Sequence, residues 1–147
     1  MFVPLSAEGG VDKDAWIEVP RIESDRNIFE FPYIYGAVTD AANQINAEIQ
    51  TIQDEFQEKY PEEADPHTWS EVLAYPTETD EYLNLVINLA EYPTYGTYGQ
   101  AKSWVYDKVN GKEVTLDEAL QAAGVSQDKI LSDINAWVNE NGEGNTI

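Results

Sequence analysis

The chain has 147 residues, of which 42% are hydrophobic, so it is long enough for one domain with a real core. Twenty-eight Asp and Glu face eight scattered Lys and Arg, giving a net charge of −20; this makes nucleic acid and anionic lipid poor partners, and such a field either steers in a cationic partner or serves only to keep the protein soluble. The chain has no cysteine, which excludes disulfides, thiol catalysis and cysteine metal sites, and it has no apolar run of about 18 residues, the length of a membrane span.

Residues 1–13 read as a loose arm. Their start, Met1 to Gly10, lacks the basic and apolar regions of an intact signal peptide. Ala15 to Ile22 alternates weakly and holds Pro20, which suits an edge strand. Ile28 to Tyr35 reads as a second strand with Phe29, Phe31, Tyr33 and Tyr35 on one face. Asp40 is placed to cap a long helix running to Tyr60. Ala42, Ile45, Ile49, Ile52 and Phe56 form its apolar stripe, and Pro61 stops it. Its other face carries Asn43, Glu48, Asp54, Glu55 and Glu58. Tyr60 to Pro66 is an acidic linker, and Thr68 to Tyr75 is a third strand that Pro76 to Asp80 turns into the next.

The clearest period-two pattern follows. Leu83, Leu85, Ile87 and Leu89 fall on one side of a strand, with Asn84 and Asn88 on the other. A tyrosine- and glycine-rich loop, Tyr92 to Gly99, leads to a partner strand from about Gln100 to Lys108, so the whole reads as a long hairpin. Asn110-Gly111 marks a turn. Thr115 and Glu118 form a capping box for a short helix that ends at Gly124. Ser126 caps a last helix with Ile130, Ile134, Trp137 and Val138 as its stripe, and residues 140–147 are a loose end. The expected fold is α+β: one domain, 1–147, built on an antiparallel β-sheet of about five strands. A long helix packs on one face of that sheet, and two short helices follow at the C-terminus.

Chemistry is harder to find. With Gly111 at the sixth position of a calcium loop, Tyr106 and Lys108 would stand where oxygen ligands are needed, so that match fails. His67 alone builds neither a hydrolase triad nor a histidine metal cluster, and Asp12, Asp14 and Glu18 are too sparse for a metal site. A glycosidase needs only two facing carboxylates, which the sequence neither shows nor excludes. No glycine-rich phosphate loop is present. No metal, cofactor or catalytic residue is therefore expected. The aromatic candidates for binding are Tyr92, Tyr95, Tyr98 and Trp104: tyrosine and tryptophan anchor interfaces and stack on sugars, and the glycines among them let a partner approach closely.

A further pattern runs through the chain. Pro32-Tyr-Ile-Tyr-Gly36 leads into a helix with Ile45-Asn46 and Ile49; Tyr92 to Gly99 follows; then come Trp104-Val-Tyr-Asp107, Asn110-Gly-Lys112 and Val114-Thr-Leu-Asp-Glu118. This order resembles the extracytoplasmic domain shared by RsiV-type anti-sigma factors and PdaC-type peptidoglycan deacetylases, over about Trp16 to Val138. It departs from that pattern in lacking the histidine of the glycine-rich loop, near which Tyr98 or Gln100 stands, and in ending soon after the last helix. The resemblance implies an α+β fold and a place outside the cytoplasmic membrane of a bacterium. It also implies binding of lysozyme, a cationic protein, as the anti-sigma member does; no catalytic residue carries over.

The leading expectation is a non-enzymatic extracytoplasmic module, secreted or anchored in the envelope, that binds a cationic protein or peptidoglycan. Its surface would be the acidic helix face and the Tyr92–Trp104 region. The alternatives are a carboxylate-based glycan hydrolase and a structural spacer without a ligand.

Overall fold

Two prolines shape the first part of the chain. In the computed structural model, which describes residues 16–35, 39–61, 68–92 and 98–142, residues 16–35 form one antiparallel hairpin broken in the middle. Its inner half pairs β2 (Arg21–Glu23) with β3 (Asn27–Glu30), closed by Ser24 N–H donating to the Asn27 carbonyl at 2.9 Å. Its outer half pairs β1 (Ile17–Glu18) with β4 (Tyr33–Ile34) in the same register. Pro20 and Pro32 stand in the gap, where proline offers no N–H to the ladder. The halves consequently join different sheets. The two strands expected over Ala15–Ile22 and Ile28–Tyr35 are thus four, and Tyr35 is exposed rather than on the buried face with Phe29 and Phe31.

The expected helix is α1 (Asp40–Lys59), one residue shorter than read, with Thr39 rather than Asp40 as its cap. Thr39 Oγ1 accepts the Ala42 N–H at 3.2 Å and lies 3.0 Å from the Tyr106 hydroxyl, so the cap also fastens the helix to the sheet. Ala42, Ile45, Ile49 and Phe56 are buried as the stripe requires, while Ile52 is half-buried.

After α1 come β5 (Trp69–Ala74), β6 (Thr77–Glu78), β7 (Tyr82–Tyr92), β8 (Tyr98–Asp107) and β9 (Lys112–Glu113). The main sheet has the order β2-β3-β5-β7-β8-β9, with β6 folded back on β7. Among the described residues it has seven strands and is mixed, which corrects the expected antiparallel sheet of about five. The parallel pair is β3–β5: α1 carries the chain back, so β5 enters beside β3 in the same direction. The hairpin β7–β8 keeps an unbroken register from Tyr82↔Asp107 to Glu91↔Tyr98. Leu83, Leu85, Ile87, Leu89, Trp104 and Tyr106 face α1 and are buried. Asp107 then makes the turn into β9. Its carboxylate accepts the N–H groups of Val109 and Asn110 at 2.9 Å each and the Asn110 side-chain amide at 2.7 Å, and Gly111 takes the left-handed φ of 66°.

The chain's contacts define two compact units, Met1–Glu113 and Val114–Ile147. The second consists of α2 (Leu116–Ala123) and α3 (Gln127–Asn141), the latter longer than the short helix expected. The Thr115–Glu118 capping box and the left-handed Gly124 stand where the sequence puts them. Ser126 caps α3, whose Ile134 and Trp137 are exposed. The arm 1–13, the linker residues 62–66, His67 and residues 143–147 lie outside the described residues.

Candidate functional site

Helical spacing puts Glu48, Thr51, Ile52, Glu55, Phe56 and Lys59 along one flank of α1. The pleat puts Leu89 and Glu91 of β7, and Gln100, Lys102 and Trp104 of β8, on the face below that flank. Between them lie two depressions of about 520 and about 580 Å³. Both include Ile52, Glu55 and Lys102, so they form one groove along the helix from Trp104 to Glu91. Its floor is apolar, made by Ile52, Phe56 and Leu89; Glu48 and Glu55 stand on the helix side and Lys102 opposite.

Each end of the groove is pinned. At one end the Trp104 indole N–H donates to Glu48 Oε2 at 2.9 Å. At the other, Lys59 Nζ reaches the two carboxylate oxygens of Glu91 at 2.9 and 3.2 Å and sits 5.2 Å from the Tyr60 ring centroid. Burial pushes the Glu91 carboxyl up, but hydrogen bonds from Tyr60 and Lys59 outweigh it and hold it below the usual carboxylate range. The same ion pair raises Lys59, and burial, helped by Glu91, raises Tyr60.

Beside the Trp104 end, β9 pairs Glu113 with Tyr106, on the helix side of the sheet. Burial, and then the neighbouring Glu48 charge, raise the Glu113 carboxyl above its ordinary value. A group raised in the fold favours the protonated folded form. Its contribution is fully present below the unfolded pKa and is lost as pH rises through the folded one. Glu113→Gln is therefore expected to raise the melting temperature at neutral pH, by a few degrees at most. The gain should vanish as pH falls below about 4.3, the value for an unperturbed glutamate. Thermal unfolding of both proteins across that pH range checks this.

The four aromatic candidates do not form one cluster. Trp104 pairs with Leu85 on the helix side and is 7% exposed. Tyr92 falls on the opposite face, is 39% exposed, and pairs with the exposed Trp69 of β5. That pair borders a small cleft of about 220 Å³ with Asp25, Arg26 and Glu71. Tyr98 pairs through its backbone with Glu91. Tyr95 lies outside the described residues. The acidic helix face is where the sequence put it, with Glu48, Asp54, Glu55 and Glu58 exposed. What the sequence did not point to are the Lys59–Glu91 pin, Lys102 opposite Glu55, and Trp69. Each of these depends on strand register.

Among the described residues, no group of three or more His, Asp or Glu is gathered to hold a metal ion, and no helix is long and apolar enough to cross a membrane. No family model matches the chain, and no curated protein matches it.

Proposed function

We propose that this chain is a non-enzymatic binding module of a bacterial envelope or secreted protein, and that it docks a cationic protein in the groove along α1. The observation that supports this reading most is the make-up of the groove: an apolar floor flanked by Glu48 and Glu55, continuous with the exposed acidic face of the helix. An apolar strip edged by carboxylates suits lysine- and arginine-bearing surfaces, whose long stems cover apolar groups while their heads pair with acids. The net charge of −20 steers such partners in. The resemblance to RsiV-type anti-sigma factors adds lysozyme as the first partner to try.

The test is retention of lysozyme and of purified peptidoglycan at low and high salt. Lysozyme should be held at low salt and released as the Debye length falls from about 10 Å toward about 3 Å. The double variant Glu48→Gln/Glu55→Gln should weaken that binding about tenfold, as expected for two partly exposed pairs. Affinity indifferent to both salt and the double variant would sink the reading. Loss of binding to every probe would leave a structural spacer.

A second reading, a carboxylate-based glycan hydrolase, has one observation in its favour: Glu113 is raised in pKa next to Glu48, as a general acid beside a second carboxylate should be. Against it, Glu113 does not line the groove. Release of soluble sugar from peptidoglycan, abolished by Glu113→Gln, would restore it.

A further inference from the structure

The main sheet has two edges, and they are built differently. The β2 edge has three residues, follows Pro20 and is covered by charge, with Arg21 paired to Glu23 at 3.1 Å and to Glu30 at 2.8 Å. Short length, proline and charge are the usual protections against a foreign strand. The β8 edge has little of this. Outside β7, β8 pairs only with β9, and only at Tyr106 and Asp107. From Tyr98 to Val105 no strand covers its outer side among the described residues. The stretch contains no proline and, with its unbroken register, no bulge.

The direction of its backbone groups follows from the register. Lys108 N–H donates to the Glu81 carbonyl at 2.8 Å, which makes that pair, and every second pair beyond it, the hydrogen-bonded ones of the hairpin. Gly99, Ala101, Ser103 and Val105 fall on the alternate pairs. Their N–H and C=O groups therefore point away from β7, to the open side. Gly99, Ala101 and Ser103 are exposed, and their small side chains do not obstruct the edge. This row of donors and acceptors borders the groove, whose lining includes Gly99, Gln100, Lys102, Ser103 and Trp104.

We infer that the partner enters as an extended, basic peptide segment that adds a strand to the outer edge of β8, beneath the acidic flank of α1. This rests on the binding-module reading and sharpens it from an acidic surface to a defined mode of recognition. Main-chain bonds to Gly99, Ala101 and Ser103 fix the register, and alternate side chains of the added strand point to the groove. On that side they meet Glu48 and Glu55 above the floor of Ile52 and Phe56, with Lys102, among the described residues, as the one opposing charge outside the Lys59–Glu91 pair, a balance that favours lysine or arginine where the added strand faces the two glutamates. The charge argues against a second copy as occupant, because edge-to-edge pairing would bring together two chains of −20 each.

The experiment titrates the whole chain with two synthetic peptides of equal charge: one alternating lysine and threonine over roughly eight residues, a common strand length, and one with proline in place of each threonine. Affinity and residue-resolved amide exchange are read together. The alternating peptide should bind about tenfold more tightly than its proline counterpart and should slow exchange at Gly99, Ala101 and Ser103. Ala101→Pro should remove that advantage without harming the hairpin, since the N–H it deletes does not face β7. Equal binding of both peptides, with exchange at those amides unchanged, would overturn strand addition and leave acidic docking standing. Failure of both peptides to bind would overturn strand addition, and the salt-dependent retention of lysozyme would then decide the binding-module reading by itself. Amides already slow in the free chain, or slowed only as protein concentration rises, would show the edge covered by the chain itself or by a second copy. Either result would overturn the inference without using a variant.

Discussion

Ile49→Ala is expected to destabilise the protein by about 3–4 kcal/mol, the range for a large aliphatic side chain truncated in a closed core. Ile49 is 1% exposed at the middle of α1, in the same core as Leu85 and Ile87, each 0% exposed. The loss has two parts. One is the transfer of the missing methylene and methyl groups. The other is the cavity, because a helix fastened at its start by Thr39 and Tyr106 and at its end by Lys59 and Glu91 has little freedom to settle into the space. Domains have about 5–15 kcal/mol in total, so this single change would remove a large share. In urea the midpoint should fall while the slope stays the same, since the surface exposed on unfolding hardly changes. Thr51→Ala, two residues on but on the exposed side of the helix, should shift the midpoint by no more than about 0.5 kcal/mol equivalent. A loss under about 1 kcal/mol for Ile49→Ala would mean that α1 does not seal the sheet as described.

Local pattern made much of this fold legible, and long-range pairing made the rest illegible. The alternation Leu83-Leu85-Ile87-Leu89 needs only a strand with one buried face, and the strand is there with that face buried. The α1 stripe and the Thr115–Glu118 box are equally local. The parallel β3–β5 pair is not local. It joins Asn27 to Ser70 across the whole of α1, and no residue in either strand announces its neighbour. Pro20 marks an edge strand from the sequence alone, and β2 is one; that Pro20 and Pro32 share a single break, which divides one hairpin between two sheets, shows only in the pairing register.

The site follows the same division. The acidic face of α1 was readable from helical spacing. That Tyr92 and Trp104 lie on opposite faces was not, because Trp104 takes its face from its pairing with Leu85, a register that no residue in either strand announces.

Asn46→Ala is expected to cost about 2–4 kcal/mol, from two backbone groups left without partners. Tyr35 N–H donates to the Trp16 carbonyl at 2.7 Å, so in the β1–β4 ladder the N–H and C=O of Ile34 must point away from β1. Asn46 receives both. Its Oδ1 accepts the Ile34 N–H at 2.8 Å, and its Nδ2 donates to the Ile34 carbonyl at 2.9 Å. One amide side chain thus does for Ile34 what a neighbouring strand would do, and it locks the buried Ile34 side chain to α1. Asn46→Asp separates the two bonds. The carboxylate still accepts from the N–H but faces the carbonyl with a second acceptor, so at neutral pH this variant should be no better than alanine. The repulsion raises the folded-state pKa of the new acid. Stability should therefore return as pH falls toward about 4, where a protonated carboxyl can donate to the carbonyl. Urea unfolding of the three proteins at neutral and acid pH decides it. Recovery of Asn46→Asp on acidification, with none for Asn46→Ala, is the outcome that the paired bonds require. Two variants that behave alike at every pH would mean that Asn46 holds β4 by packing alone.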